Sequence, residues 1–295
     1  MPGIARRAFL GHSMAGESGN TGSASIAALR SGERRAAFHA LMAGLVASAW
    51  AVLWLWSSSP YGRYLDHGRW TEVGIAAEIC RTVPGGEIVL PAALYTAGWV
   101  LMVAAMMLPT TLPLLGVFRR IVAGRTDAGR LVALVGGGFL CAWFGFGLAA
   151  HALDWMLLAA ARETPWFVAN GWVIGAAVVG GAGVFQFSSL KYRCLDKCRT
   201  PLGFVVERWR GIAPRREALR VGFDHGAFCI GCCWALMLLM FIVGMGNVGW
   251  MLALGAVMAA EKNLPGGKRL SAPLGVALLA WAGAIILMNV SPSVA

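Results

Sequence analysis

Charge is scarce in this chain. Only 13% of its 295 residues are Asp, Glu, Lys or Arg, about half the share of an ordinary soluble domain at ~25%, and a water-facing surface cannot be built from so few. With 58% hydrophobic residues and a mean hydropathy of +0.66, lipid is the solvent to assume. The chain also has no Walker loop, no G-x-S-x-G, no H-E-x-x-H and no dinucleotide fingerprint, which argues against energised primary transport by this chain alone. Its seven cysteines, at 80, 141, 194, 198, 229, 232 and 233, are an odd number and a poor basis for a closed disulfide framework. What is abundant fits lipid: thirteen Trp and thirty-nine Gly suit headgroup anchoring and membrane-helix packing.

A hydrocarbon core of ~30 Å takes ~20 helical residues, so stretches free of charge can be tested by length alone. Six exist: 36–62, 88–118, 131–153, 164–190, 225–260 and 270–295. The fifth, at 36 residues, would overshoot the core as one helix and must fold back. The break falls at Gly244-Met245-Gly246-Asn247-Val248-Gly249, which suits a tight turn. The expectation is an all-α, polytopic transmembrane bundle of about seven spans, or six if the short segment 248–260 is re-entrant.

The basic residues assign the faces. Five Arg precede residue 36, four lie in 119–130, nine Lys and Arg in 191–220 and three in 262–269, which is 21 of the 25. The remaining four, Arg63, Arg69, Arg81 and Arg162, sit in segments richer in acid. Alternate loops are therefore positive, which predicts a cytoplasmic N-terminus, an outside C-terminus and a multi-pass protein of the cell inner membrane. Residues 1–35, Gly- and Ser-rich with no sustained periodicity, read as a disordered basic cytoplasmic tail. They precede an uncleaved signal anchor, because the following apolar run is long enough to span and lacks an A-x-A site. Residues 36–295 form the transmembrane helical domain, with a cytoplasmic Cys-containing loop at 191–224. The net charge of +11 is thereby a topology signal and an attraction to anionic lipid, and no motif points to nucleic acid as a partner.

Five of the seven cysteines fall between Cys194 and Cys233. On a helix at ~100° per residue, His225, Cys229 and Cys232 occupy an arc of ~60°, so an imidazole and two thiols share a face, and Cys233 lies ~40° beyond them. Cys194 and Cys198 are four apart, again on one face if that loop is helical, and the cations Lys191, Arg193, Lys197 and Arg199 surround them. Thiolate with imidazole suits zinc or cuprous copper. Thiol redox chemistry and plain packing of a small polarizable side chain are the other readings. Weaker candidate ligands are Met106 and Met107, beside Met102 and ahead of Pro109 and Pro113, which predict a kink at mid-membrane depth. Glu261 with Lys262 is either a ligand or an ion pair at a helix end. His151 and Asp154 could form an oriented pair or an ordinary interfacial one, and Gln186 with Lys191 flanks the exit of the fourth helix.

Taken together, Ala105-Met106-Met107-Leu108-Pro109, Phe185 to Lys191, Cys194 to Pro201, and His225-Gly226 with Cys229-Ile230-Gly231-Cys232-Cys233-Trp234 resemble a bacterial family of predicted metal-binding integral membrane proteins, the domain of unknown function 2182. Met237, Trp250-Met251 and Glu261-Lys262 look like the same pattern, and the resemblance runs over about 98–275. It implies a membrane-embedded metal site without specifying a reaction. The resulting expectation is a protein that binds copper or zinc through His225, Cys229, Cys232 and Cys233, with Cys194 and Cys198 as further ligands, in metal handling or transfer. Its partners would be the bilayer, the metal ion and a metallochaperone or second membrane subunit. A membrane thiol oxidoreductase and a non-catalytic partner-binding subunit are the alternatives, and whether the chain is an enzyme is left open.

Overall fold

The computed structural model describes residues 18–59, 86–164, 166, 170–243 and 247–290. Helices account for nearly all of them, and there is no strand among the described residues. The chain divides into two units, 1–45 and 46–295, of which the first holds, among the described residues, only the opening of helix α1 (Ser18–Ser57). The second holds the end of α1 and then α2 (Gly86–Met106), α3 (Leu108–Ile121), α4 (Ala128–Glu163), α5 (Trp172–Phe185), α6 (Ser189–Arg199), α7 (Pro201–Arg208), α8 (Pro214–Val243), α9 (Val248–Asn263), a 3-10 turn (Gly267–Leu270) and α10 (Ser271–Val290).

The breaks have local causes. Pro109 has no N–H to give the carbonyl of Ala105, so the helix ends at Met106 and restarts at Leu108 with a bend of 63°. The freed Ala105 carbonyl is not left bare, because the Trp50 indole N–H donates to it at 3.2 Å. Between α5 and α6 the bend is 62°. There Ser188 leaves the helical region at ψ 142° and its side chain accepts the Lys191 backbone N–H at 3.1 Å, a cap that starts α6. Asn247 caps α9 in the same way, accepting from the Trp250 N–H at 3.2 Å. Gly244 to Gly246, the expected turn, lie outside the described residues.

Helix α8 is the centre of the second unit, packed along α4 and against α6. Glycine makes the α4–α8 crossing close: a Cβ at Gly222 would run into the Val135 carbonyl, and one at Gly138 into the Leu219 carbonyl. Without a hydrophobic drive between helices in lipid, such backbone approach supplies the van der Waals contact that holds them. The pair α5 and α10 repeats the device, with Gly183 against Leu279 and Gly275 against Phe187. Trp99 fills the space over Gly147 and donates its indole N–H to the Trp143 carbonyl at 3.0 Å. The core so formed is rich in sulfur: Met102, Met106, Met107, Met237, Met240, Met251, Met258, Cys194, Cys229, Cys232 and Cys233 are all buried in one cluster. Large apolar side chains such as Leu287 and Met288 face outward, as a lipid-facing surface allows.

Four helical segments are long and apolar enough to cross a membrane: Ala36–Ser57, Ala128–Leu157, Pro214–Met240 and Gly267–Val290. Counting the bent pairs Thr96–Met106 with Leu108–Ile121 and Trp172–Phe185 with Ser189–Arg199 as one span each raises this to six. The all-α, membrane-protein architecture expected from the sequence is therefore present. The sixth expected span, the short segment 248–260, corresponds to α9, whose 16 residues reach ~24 Å against a ~30 Å core, and it is not among those six. Two further differences from the expectation concern segment character. Helix α1 begins at Ser18, within the stretch read as a disordered tail. Residues 191–224, read as a loop, are mostly helical in α6, α7 and the start of α8, because Ser188 caps and Pro201 and Pro214 each open a new helix.

Candidate metal centre

Helix α8 carries three cysteines into the core midway along its length, and each side chain is almost fully enclosed: Cys229 1%, Cys232 2% and Cys233 2% exposed. Cys232 and Cys233 turn their thiols back to the Cys229 carbonyl, at 3.1 and 2.9 Å. Cys233 also meets the thioether of Met107 at 3.8 Å, which places the kink between α2 and α3 directly against the α8 thiols. From α6, Cys194 packs on Gly231, where an added Cβ would stand 2.6 Å from its sulfur, and Cys198 interacts with Cys232. Every described cysteine is unbridged. The two thiol groups, separated by thirty residues of sequence, thus meet across one helix interface.

Among the described residues, no three His, Cys, Asp or Glu side chains gather at the spacing that would hold a metal ion. What stands among the sulfurs is a lysine. Lys262, in the last turn of α9, donates to Cys229 Sγ at 2.9 Å and to Thr110 Oγ1 at 3.4 Å, with Met107 Sδ at 3.8 Å and Cys233 Sγ at 4.0 Å. A lysine is almost never buried unless paired, and at 6% exposure this one has sulfur and a hydroxyl for partners in place of a carboxylate. Its sequence neighbour is oriented elsewhere. Glu261, the alternative ligand or helix-end partner, accepts from Lys191 Nζ at 2.7 Å and from Ser271 Oγ at 2.6 Å, so the Glu261–Lys262 ion pair considered from sequence does not form. Lys191 is wholly buried and also donates to the Gln186 side chain, whose own amide donates to the Ala182 carbonyl at 3.0 Å. This polar network ties α5, α6, α9 and α10 together.

His225 lies one turn before Cys229 and is 3% exposed. Its ring is held between Phe139 and Phe204, at centroid distances of 6.0 and 5.3 Å, and its Nδ1 has no hydrogen-bond partner. A buried, unsatisfied imidazole nitrogen costs stability unless something occupies it. Above it, Arg208 lies 4.0 Å over the Phe204 ring and binds Asp224 at 3.1 Å. Its neighbour Glu207, between Lys197 and Arg208, is held below the usual carboxyl range by those two cations and stays charged.

Of the weaker candidates, Met106 is buried against Gly255, while Met107 touches both Cys233 and Lys262. His151 is half-buried and the Asp154 side chain lies outside the described residues, as does Cys80. Cys141 is exposed on α4, away from the others. Lys262 and Thr110 are the contributors that sequence reasoning did not assign to the site. The signal for Lys262 was its position, with Glu261, at the end of the 36-residue charge-free stretch 225–260.

No curated protein and no solved structure matches this chain. A family model does, that of PpoB2, described as a copper chaperone, over residues 96–285, which takes in the kink, both thiol groups, Lys191, Glu261 and Lys262. The matched region is most of the chain, and the protein belongs to the PpoB2 copper chaperone family.

Proposed function

We propose that this protein binds cuprous copper as cargo within the membrane, between the α8 thiols and the α2–α3 kink, and passes it on rather than transforming it. The observation that carries this reading is the ring of donors around Lys262 Nζ: Cys229 Sγ, Cys233 Sγ and Met107 Sδ surround a single positive charge. Two thiols and a thioether are a soft set suited to copper(I). Two sulfurs bound at ~2.3 Å to one tetrahedral ion lie ~3.8 Å apart, and Cys233 and Met107 are separated by 3.8 Å. Cys232, Cys198 and Cys194 continue the line of thiols toward α6. His225, with its free Nδ1, adds an imidazole one turn away. Membership in a family described as copper chaperones supports a role in copper handling.

The positive-inside distribution supports an inner-membrane location, with the segments 119–130, 191–220 and 262–269 on the cytoplasmic face. A chaperone in this position would receive copper from, or deliver it to, a soluble metallochaperone or a second membrane subunit.

The test is copper content of the full-length protein in detergent, loaded with copper(I) under reducing conditions and separated from free metal. Wild type should retain about one equivalent or more, and the Cys229→Ser, Cys233→Ser double variant should lose at least one of them. Met107→Leu should keep the thiols but hold copper more weakly against a copper(I) chelator. Equal retention in wild type and the double variant would remove this reading.

A further inference from the structure

A fully enclosed ammonium among sulfur donors is an unusual arrangement for a site that carries a cation. The positions of Cys229, Cys233, Met107 and Thr110 define one cavity, and the Nζ of Lys262 fills it at 2.9 to 4.0 Å from each donor. A metal ion coordinated by the same sulfurs would lie within van der Waals reach of that nitrogen, and two cations at such separation repel strongly in a medium of low dielectric constant. The ammonium and the metal cannot share the cavity.

The fold also offers the lysine a way out. Lys262 is in the last turn of α9, and the residues that follow it, from Asn263 to Gly266, are exposed. A lysine has a compact charge on a flexible four-carbon stem, so rotation of that stem carries the charge from the cavity to the exposed turn without moving a helix. Lys191 is different. It is buried just as deeply, but its charge is matched by Glu261 at 2.7 Å, so no incoming cation competes for its partner.

We propose that Lys262 occupies the cargo site with its own charge until a soft monovalent cation displaces it, so that loading exchanges one positive charge for one. This rests on the copper reading of the same site. No electron is transferred and no proton leaves the Cys229 sulfur: that sulfur is the thiolate to which the Lys262 ammonium donates, copper stays cuprous, its bond to the thiolate replaces that hydrogen bond, and the ammonium moves to water. The charge inside the protein is the same before and after. Lys262 is thereby an internal competitor for the cargo site, and it keeps the thiols occupied when no cargo is present.

Two measurements on the full-length protein in detergent test it. In the first, a membrane-permeant amine-acylating reagent is applied before and after copper(I) loading, and modification of each lysine is read by peptide mass spectrometry. Lys262 should be protected in the empty protein and modified after loading, while Lys191 remains protected throughout. In the second, the copper(I) affinities of wild type and Lys262→Met are compared by chelator competition. Copper(I) should bind the variant more tightly than wild type, by about tenfold or more, since no ammonium has to leave the site first. Protection of Lys262 unchanged by a full equivalent of bound copper overturns the displacement and leaves the copper reading standing. So does joint modification of Lys191 and Lys262, which indicates general opening, and so does an unchanged copper(I) affinity in Lys262→Met. A wild-type protein that takes up no copper overturns both.

Discussion

Two adjacent residues of α9, Glu261 and Lys262, meet different partners and serve different ends. The Glu261 carboxylate is 2% exposed and neutralises Lys191 while accepting from Ser271. Removing one member of a buried pair leaves the other charge without compensation, at a cost of about 3–5 kcal/mol. Glu261→Ala should destabilise the protein by that order, seen as a lower midpoint of unfolding in detergent. Replacing both charges by apolar residues of similar size, Lys191→Met with Glu261→Leu, should recover most of the loss, because neither desolvation penalty then remains. A single variant as stable as wild type would mean that water reaches the pair. The sequence showed Glu261 and Lys262 as one charged step at a helix end. Which sulfur, hydroxyl or cation each would meet depended on residues 10 to 155 positions away, and no local pattern encodes that.

The helices themselves follow from neighbouring residues. The bend at Met107 was legible from Pro109 and Pro113, since a missing N–H acts on the carbonyl four residues back regardless of context. The face shared by Cys194 and Cys198 was legible from their spacing, conditional on a helix that α6 supplies. How closely α8 approaches α4 was not, because a glycine in a membrane helix can face lipid, a neighbour or nothing. Gly222 faces the Val135 backbone, whereas Gly136, one residue further along α4, has open space around it. Gly222→Ala should therefore force the helices apart and cost a few kcal/mol, as overpacking does at ~1–3 kcal/mol or more. Gly136→Ala should be neutral or stabilise α4 by up to ~1 kcal/mol through helix propensity. Thermal unfolding of the two variants side by side checks both, and equal effects would contradict the packing described.

At the scale of the whole molecule, the short α9 governs which way the chain leaves. Lys268 pairs with Asp196, and Arg199 donates to the Glu261 carbonyl and, at 2.7 Å, to the Leu264 carbonyl. The turn after α9 is thus bound to the end of α6, within the basic segment 191–220. In the orientation proposed from the basic residues, α9 completes a return crossing that its 16 residues barely reach, and α10, with 20, crosses a ~30 Å core once to end outside. Alkaline phosphatase fused after Ala295 should be active in a bacterial host, and a silent fusion with stable expression would show the opposite orientation.

Composition and the spacing of charge determined by themselves that this chain is all-α with helices apolar enough to span lipid, and Pro109 with Pro113 marked the break between α2 and α3, because lipid demands internally satisfied backbone and proline acts locally. Charge counts also indicated which segments share a face, and the cysteine spacings marked α6 and α8 as the elements to watch. Only the tertiary structure decided that the thioether of Met107 meets Cys233, that His225 is enclosed by Phe139 and Phe204, and that a lysine stands among the sulfurs. Those contacts join four helices distant in sequence, and their partners are selected by packing geometry, which a one-dimensional pattern does not contain.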